Sequence, residues 1–444
     1  MTTVLKPYSS YARSPVPWLD EVPAEWSAIR LDRLFRYRSE EPLEGDARVT
    51  GYLDGRVTLR SNVAGQKIKG VVHEAGWQRI HVGDFAISGM NAHLGGMGVS
   101  DSEGKCSPIY LVLEPRTGTN AHFVSLAVRH AAHLGAIKAL VQTIRFNSAD
   151  MKRADLKSIY VPVPPPEEQA QIVRFIRHLD QRVNRLIKTK RRLIELLNEQ
   201  KQAIIHRAVT RGLDPTVPLK PSGIDWLGDI PAHWTVARIK HLVRMRSGDG
   251  ITAERIEETG EFPVFGGNGL RGFTDAFTHV GDYILIGRQG ALCGNIQYAS
   301  GKFWASEHAV VCTPIKPFDQ KWLGELLKVM NLNQYSISAA QPGLAVERIN
   351  SLQLPLPPIA EQEQISLWFL EQTADLELVL AKARSEIDLI REYRTRLVAD
   401  VVTGQLDVRH LDLPELGVET IADAEVADET DEDPETLEPE LAEA

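Results

Sequence analysis

The chain has 444 residues, of which 43% are hydrophobic and 25% charged, an ordinary composition for a globular protein with room for several domains. It contains no run of eighteen apolar residues, and its first ten residues show no signal-peptide pattern. These features argue against membrane insertion and secretion, and they predict a cytoplasmic protein. Cys106, Cys293 and Cys312 are isolated thiols without the paired spacing of a zinc site, as expected in a reducing compartment.

The net charge of −9 is unevenly distributed along the chain. Residues 411–444 contain fourteen Asp/Glu and no Lys/Arg, which leaves the rest of the chain with a net charge of +5. A mildly basic body is compatible with nucleic-acid binding. The acidic tail, which is also rich in Ala, Thr and Pro, is predicted to be disordered.

The chain begins with a polar arm, residues 1–17. The segment from Trp18 to Phe35 follows, and its apolar spacing predicts a short amphipathic helix near its end. The same pattern returns from Trp226 onward, with Trp26 and Trp234 among the residues that pair at an offset of 208. We interpret the paired tryptophans as core residues.

Two regions of unequal length, residues 40–155 and 248–348, are predicted to contain short strands and glycine-rich turns. They share one internal pattern, His81–Phe85 in the first and His279–Tyr283 in the second. In each copy a Gly-Asp turn precedes an apolar run, so the pattern predicts a turn that leads into a core strand.

A second repeat, at an offset of 193, relates residues 156–214 to residues 349–407. The prolines at 164–166 cannot continue a helix from the preceding residues. Glu167 and Glu168 then favour a helix start because the helix dipole stabilises acidic residues in the first turn. Each copy therefore predicts a long helix that begins after its prolines.

Apolar residues at alternating spacings of four and three predict a seam for a partner helix on each long helix. The first helix, Glu167 to Val209, would be about 64 Å long at 1.5 Å per residue. Its seam is predicted to be Ile172, Ile176, Leu179, Val183, Leu186, Leu193, Leu197 and Ile204. The seam of the second helix is predicted to be Ile365, Phe369, Leu376, Val379, Ala383, Ile390 and Leu397. Residues 167–211 carry a net charge of +6 and residues 360–402 one of −4, which favours pairing of the two helices over packing of each on its own domain.

The predicted fold class is α+β, with a pseudo-twofold tandem duplication. Two globular α/β domains are separated by two long antiparallel helices that form an intramolecular coiled coil. The predicted segments are an arm (1–17), a first domain (18–155), a first spacer helix (156–211), a linker (212–225), a second domain (226–348), a second spacer helix (349–410) and an acidic tail (411–444).

The duplicated motifs resemble those of type I restriction–modification specificity (S) subunits. They are Pro-x-Pro-Pro-x-x-Glu-Gln at 162–169 and 355–362, the long helices that follow, and Leu-Gly-Asp-Ile-Pro-x-x-Trp at 227–234. The resemblance covers about 1–410. It implies two target recognition domains that each read one half of a bipartite DNA site, and helices that act as a ruler.

The resemblance also implies partners. The helices would dock two adenine methyltransferase (M) subunits, and motor-nuclease (R) subunits would join the complex. The chain itself would be non-catalytic and would bind no cofactor, because S-adenosylmethionine belongs to the M subunits. The acidic tail departs from the family pattern, and no function is carried over to it.

Two patterns could be mistaken for catalytic motifs. Phe265–Gly269 matches a glycine loop of methyltransferases, but the sequence lacks the (Asn/Asp)-Pro-Pro-aromatic motif, so we interpret it as a turn. Asp84 with Glu103 and Lys105 has the outline of a nuclease metal site; we reject it because Lys105 is predicted to lie in a turn and not on a strand. A self-contained methyltransferase or nuclease and a coiled-coil scaffold that binds proteins remain the alternatives.

Candidate DNA contacts are polar residues of glycine-rich loops, because Arg matches guanine and Asn or Gln matches adenine in the major groove. They are Lys67, Lys69, Asn91, His93 and Arg145 in the first domain and Asn268, Arg271, Arg288, Gln289 and His308 in the second. Candidate partner-docking residues are Glu168, Gln169, Arg174, Arg177, Glu361 and Gln362. No catalytic or metal-binding residue is assigned.

Overall fold

The structure is a computed structural model that divides into two compact units. Unit 1 comprises Met1–Arg191 and Ser385–Ala444, and unit 2 comprises Arg192–Arg384. The residues that the structure describes are 5–63, 75–140, 144–145, 148–149, 151–290, 292–336 and 343–414. The predicted disorder of the acidic tail concerns residues that lie, from 415 onward, outside this set. Within it, no helix has the length and apolar content to cross a membrane.

The described residues of unit 1 form short strands, three short helices and parts of both long helices. Its strands are β1 (Tyr11–Arg13), β2 (Glu21–Pro23), β3 (Ser27–Arg30), β4 (Phe35–Tyr37), β5 (Val49–Gly51), β6 (Val57–Leu59), β7 (Gln78–Ile80), β8 (Phe85–Ser88), β9 (Met97–Val99), β10 (Gly104–Cys106), β11 (Tyr110–Pro115), β12 (Ile144–Arg145), β13 (Ser148–Ala149) and β14 (Tyr160–Val163). Its short helices are α1 (Leu31–Leu34), α2 (Ala121–His133) and α3 (Ala136–Leu140). Single 3₁₀ turns lie at Arg60–Asn62, Ala92–Leu94 and Arg153–Lys157.

The core of unit 1 is an antiparallel sheet in the order β4-β11-β8-β9, and α2 packs against it. Phe85 on β8 and Phe123 on α2 are both fully buried. Gly83 has a φ of +91°, in the left-handed region that glycine tolerates, and β8 begins two residues later. The Gly-Asp turn that leads into a core strand is thus confirmed, and Gly281 (φ +120°) precedes the strand Tyr283–Gly287 of unit 2 in the same way.

The prediction of a short amphipathic helix before Phe35 is largely wrong. Ser27–Arg30 forms β3, which pairs with β14, and only Leu31–Leu34 is helical. The Leu31 N–H donates to the Ile159 carbonyl (2.9 Å), which ties this segment to residues far along the chain. Long-range strand pairing therefore overrides the local helical period. Trp26 and Trp234 are buried, as predicted.

Residues 5–17 of the N-terminal arm, which the structure describes, are part of the folded unit 1. Strand β1 pairs with β2, and the side chain of Tyr8 is 7% exposed. The Asp407 N–H donates to the Lys6 carbonyl (2.8 Å), so the arm also contacts the segment after the second long helix. The arm is therefore held in place by backbone pairing.

Unit 2 repeats this plan with additional strands. Its strands are β15 (Leu219–Pro221), β16 (Asp229–Pro231), β17 (Thr235–Arg238), β18 (Val243–Ser247), β19 (Phe262–Gly266), β20 (Gly269–Thr274), β21 (His279–Val280), β22 (Tyr283–Gly287), β23 (Ile296–Ala299), β24 (Lys302–Ala305), β25 (Ala309–Pro314) and β26 (Gln353–Leu356). Its helices are α5 (Gln320–Val329) and α6 (Val346–Ser351), with 3₁₀ turns at Ile239–His241, Ala253–Arg255 and Leu332–Tyr335.

The main sheet of unit 2 has the order β18-β25-β22-β23, which corresponds strand for strand to the main sheet of unit 1. The pair β17–β26 likewise corresponds to β3–β14. A second four-stranded sheet, β20-β19-β24-β21, has no four-stranded counterpart among the described residues of unit 1. The two globular parts thus share a framework and differ in the strands added to it, as a tandem duplication predicts.

The two long helices are α4 (Pro166–Arg211) and α7 (Ile359–Val402), and each contributes residues to both units. Both end at a glycine in the left-handed conformation, Gly212 (φ +73°) and Gly404 (φ +77°), which is a common helix C-cap. The strands β14 and β26 lie within the predicted spacer segments 156–211 and 349–410, just before the helices.

The long helices pair antiparallel within each unit. In unit 1, the Arg394 guanidinium contacts Asp180 through two hydrogen bonds (2.7 and 3.1 Å), and Lys190 Nζ lies 2.5 Å from a carboxylate oxygen of Glu386. In unit 2, Lys201 pairs with Glu377. In these pairs a higher residue number on α4 always meets a lower one on α7, which confirms the predicted orientation.

The seam has a partly different phase from the predicted one. On α4, Ile187 is 3% exposed, whereas Leu186 and Leu193, which were predicted to lie on the seam, are 52% and 39% exposed. On α7, Leu380 is 1% exposed and Val379 is 43% exposed. These assignments were wrong because adjacent apolar residues fit either of two phases, and the periodicity does not distinguish them.

Candidate nucleic-acid interface

Three loops that carry predicted DNA-contact residues meet in unit 2. Gly267 and Asn268 form the tip of the β19–β20 hairpin. This confirms the turn predicted within Phe265–Gly269. Arg288 follows β22, and His308 directly precedes β25. The Arg288 N–H donates to the His308 carbonyl (2.9 Å), and a Cβ added to Gly267 would lie 3.0 Å from that same oxygen. The fold therefore brings the three loops to one place.

The close approach of these loops depends on Gly287, the last residue of β22. A Cβ added there would lie 2.1 Å from the carbonyl oxygen of Gly267, far inside van der Waals contact with backbone atoms. The backbones of β22 and of the hairpin tip can approach this closely only without a side chain at position 287.

The loop cluster presents both hydrogen-bond donors and acceptors to solvent. Asn268, Arg271 and Gln289 are exposed, and Arg288 and His308 are partly exposed. Planar amide and guanidinium groups of this kind match the edges of adenine and guanine in the major groove. All five predicted contact residues of the second domain thus lie on or beside these loops.

Two further residues, which were not predicted from the sequence, form hydrogen bonds with side chains of this cluster. Ser247 Oγ accepts a hydrogen bond from Arg288 Nη1 (3.0 Å), and Asn295 Nδ2 donates to Asn268 Oδ1 (3.2 Å). Both bonds restrict the orientation of side chains predicted to face DNA. Ser247 could have been found, because it pairs with Ser39 at the offset of 208, whereas Asn295 carries no sequence signal.

The corresponding predictions for unit 1 are less well supported. Lys67 and Lys69 lie outside the described residues, and only the backbone of Arg145, on β12, is described. Asn91 is 5% exposed, and its carbonyl accepts from the N–H groups of Leu94 and Gly96. The prediction that Asn91 contacts DNA was therefore wrong, because this residue is buried in a turn.

His93, in the same turn, is partly exposed. Burial, together with the positive charge of Lys138 nearby, lowers the pKa of the His93 imidazole below its ordinary value. The ring is therefore neutral at pH 7 and can accept or donate a hydrogen bond, but it supplies no charge to a phosphate.

The nuclease-like outline does not assemble into a metal site. Asp84 is 2% exposed and its Oδ1 accepts a hydrogen bond from Arg38 Nη2 (3.2 Å), while Glu103 bonds to Arg79. Lys105 lies on β10, so the prediction of a turn at this residue was wrong. Among the described residues, no group of three His, Cys, Asp or Glu side chains could hold a metal ion.

The Glu-Gln pair at the start of α4 is bonded within unit 1. Glu168, 5% exposed, accepts hydrogen bonds from the Tyr8 hydroxyl and from Trp26 Nε1 (3.0 Å). Gln169, 1% exposed, accepts from the Asn120 N–H (3.0 Å) and donates to the Pro164 carbonyl (2.9 Å). The pair thus joins the helix start to the arm, the tryptophan and the start of α2.

Unit 2 repeats this arrangement at the start of α7. Glu361 accepts from Trp234 Nε1 (3.0 Å) and contacts His233 Nε2 (2.8 Å). Gln362, 2% exposed, accepts from the Asp319 N–H (3.0 Å) at the N-cap of α5. These glutamates and glutamines are engaged within their own units, so partner docking through them would require these bonds to break.

Other residues of the long helices are free to face a partner. Arg174 and Arg177, predicted to dock one, are exposed on α4. Large apolar side chains are also exposed on α7, with Leu367 at 69% and Leu378 at 70% in unit 2 and Tyr393 at 61% in unit 1. Exposed apolar residues along a helix are typical of protein-docking surfaces when they form a patch.

The family model described as "Type I restriction modification DNA specificity domain" matches residues 66–196 and 231–378, one match for each globular part and the adjoining helix. Residues in these two ranges make up more than half of the chain.

Curated relatives show the same similarity. A 129-residue stretch is 46% identical to the type I restriction enzyme EcoprrI specificity subunit of Escherichia coli and covers 28% of this chain and 32% of that protein. A 283-residue stretch is 24% identical to the MjaVIII specificity subunit of Methanocaldococcus jannaschii and covers 57% of this chain and 64% of that protein. These matches therefore span less than two thirds of either relative.

Among solved structures, one from a study of complex assembly and conformational transition of the type I R-M system is similar over 87% of this chain and 99% of that chain. The TM-score is 0.61 and the sequence identity is 15%, so this similarity concerns the fold.

Proposed function

Because the chain belongs to the family of type I restriction–modification DNA specificity proteins, we propose that it selects the DNA site of a type I complex. The single observation that carries this proposal is the pair of family matches, each falling on one of two globular parts with the same strand order. In this proposal each part reads one half of a bipartite site.

In unit 2 the DNA-reading surface is the cluster of Asn268, Arg271, Arg288, Gln289 and His308. The convergence of their loops and the exposure of Asn268 and Gln289 support this assignment. Each well-placed amide or guanidinium contact with a base discriminates by about 1–3 kcal/mol. Arg271 and Arg288 also supply positive charge that phosphates would attract.

The long helices serve two purposes in this proposal. They hold the two readers at a set spacing, which the paired charges of Asp180 with Arg394 and of Lys190 with Glu386 would stiffen. They also dock the adenine methyltransferase subunits, for which Arg174, Arg177 and the exposed apolar residues of α7 are the candidate contacts. The chain itself carries no catalytic role and binds no cofactor, and S-adenosylmethionine is held by the methyltransferase.

Methylation mapping tests the proposal. The chain is co-expressed with an adenine methyltransferase subunit of the same family, and modified adenines are located by single-molecule sequencing. We expect a bipartite motif, and we expect Asn268→Ala with Gln289→Ala to relax one half of it and leave the other half unchanged. Gln353→Ala, an exposed side chain on β26, is the matched control. Methylation by the purified chain alone, or identical motifs for all variants, would contradict the proposal.

A further inference from the structure

The segment after the second long helix is held against the first one. Within unit 1, Gln171 Nε2 donates to the carbonyls of Val408 (3.3 Å) and Leu411 (2.7 Å). Seven residues further along α4, His178 Nε2 donates to the Pro414 carbonyl (2.8 Å). Residues 408–414 therefore follow α4 from Gln171 toward its C-terminal end, over two helical turns.

The side chains on α4 just beyond His178, in the direction in which residues 408–414 run, are basic. Arg182 and Arg185 lie four and seven residues beyond His178, on the same side of the helix, and Lys188 follows one turn later. We call these three residues the basic face. All three are exposed, and their side chains make no hydrogen bond or ion pair with any residue that the structure describes. No Asp or Glu occurs between residues 181 and 192.

The sequence that follows Pro414 is complementary in charge. Residues 415–444 contain thirteen Asp/Glu and no Lys/Arg. The distance from His178 to Lys188 is about 15 Å at 1.5 Å per residue, which roughly five extended residues cover. A segment anchored this close to its site is present at an effective concentration on the order of millimolar, so even weak charge pairs suffice for binding.

We propose that residues 415–444 bind in cis to the basic face of α4. The acidic segment supplies the carboxylates that these three cations lack, and its apolar residues, such as Leu416 and Val418, are available to cover Leu186, which is 52% exposed between the cations.

Zero-length carbodiimide cross-linking tests this directly, because it joins a lysine amine to a carboxylate only where the two are in contact. In the full chain we expect mass spectrometry to find Lys188 linked to Asp or Glu of 415–444. Lys152 and Lys157, exposed lysines of unit 1 that lie off the basic face, should show little of this product. Equal yields at all three lysines would overturn the proposal.

Charge reversal supplies the matched comparison. Arg182→Glu with Arg185→Glu leaves the reporter Lys188 in place, and we expect the cross-link yield to fall about five- to tenfold because two attractive charges become repulsive. Arg13→Glu with Arg33→Glu, also exposed and in unit 1, should leave the yield unchanged. Arg182→Gln with Arg185→Gln should give an intermediate yield. An unchanged yield in the Glu variant, with helicity verified by circular dichroism, would overturn the proposal.

Isotope mixing distinguishes binding in cis from binding to another copy. When ¹⁴N- and ¹⁵N-labelled chains are mixed before cross-linking, we expect products in which both peptides carry the same label. Products with mixed labels in statistical proportion would contradict the cis contact. The experiment uses neither DNA nor a methyltransferase, so its outcome is independent of the proposed function.

Discussion

Replacement of Glu168 by alanine should destabilise unit 1 strongly. The carboxylate accepts hydrogen bonds from the Tyr8 hydroxyl and the Trp26 indole, and both donors belong to residues that are only 7% exposed. Each buried donor left without an acceptor costs about 1–3 kcal/mol, so Glu168→Ala should lower the free energy of unfolding of unit 1 by roughly 2–6 kcal/mol.

The equivalent replacement in unit 2 should cost less. Glu361 also accepts from two donors, but only Trp234 is fully buried, while the His233 side chain is 44% exposed and can bond to water instead. Glu361→Ala should therefore lower the stability of unit 2 by about 1–3 kcal/mol. Glu167→Ala is the control, because Glu167 is exposed in the first turn of α4 and loses only about 0.3–1 kcal/mol of interaction with the helix dipole.

Native-state hydrogen exchange measured by mass spectrometry is the appropriate assay, because it reports the opening free energy of each unit separately in the full chain. A single denaturation curve would combine the unfolding of the two units. Equal losses of protection in unit 1 for Glu168→Ala and Glu167→Ala would contradict this role of the Glu168 carboxylate. A larger loss for Glu361→Ala in unit 2 than for Glu168→Ala in unit 1 would contradict it as well.

Three further experiments test the helix seam, the loop cluster of unit 2 and an ion pair between the long helices. In the same hydrogen-exchange measurement, Ile187→Ala should lower the stability of unit 1 by about 2–4 kcal/mol and Leu186→Ala by less than about 1 kcal/mol, and the reverse order would show that Leu186 lies on the seam as the sequence predicted. Gly287→Ala should abolish recognition by unit 2 while the helicity measured by circular dichroism is retained, because its Cβ meets a backbone oxygen of the facing turn at 2.1 Å; unchanged DNA binding would contradict this. A double-mutant cycle with Asp180→Ala and Arg394→Ala should give a coupling energy of about 0.5–1 kcal/mol that weakens in high salt. A coupling energy of zero would show that this ion pair does not stabilise the helix pair.

The sequence predicted the features of the fold that depend on local patterns. The helix starts and the turns at Gly83 and Gly281 follow from backbone restrictions of single residue types. The turns were correct, α7 begins directly after its prolines, and α4 begins one residue earlier than predicted, at Pro166. The repeats likewise predicted equivalent frameworks, because repeated sequence folds into repeated structure. These features require no knowledge of distant contacts.

The features that were predicted wrongly depend on such distant contacts. The segment before Phe35 became strand β3 because β14 lies beside it, and nothing within the segment indicates that pairing. The choice between Leu186 and Ile187 for the seam is made by the facing helix. The hydrogen bonds that the Glu-Gln motifs form within each unit were also not predicted, because the buried donors of Tyr8 and Trp26 cannot be recognised from sequence alone. The assignment of these motifs to partner docking stays a prediction.

The candidate DNA contacts divide in the same way. Asn268 and Gln289 were chosen because they lie in glycine-rich loops, and the loops meet. Asn91 was chosen by the same rule, but the turn around it closes on its own carbonyl and buries it. Loop composition therefore predicts where a polar residue lies along the chain, but not whether its side chain remains accessible.

The proposed ruler is tested most directly by lengthening it. One heptad is inserted after Leu197 in α4 and another after Leu380 in α7, which preserves the phase of both seams, and the methylated sites are mapped by single-molecule sequencing. Seven residues add about 10 Å of helix, so the spacer between the half-sites should grow by roughly three base pairs at 3.4 Å each, while both half-site sequences stay the same. An unchanged spacer, or altered half-sites, would contradict the account.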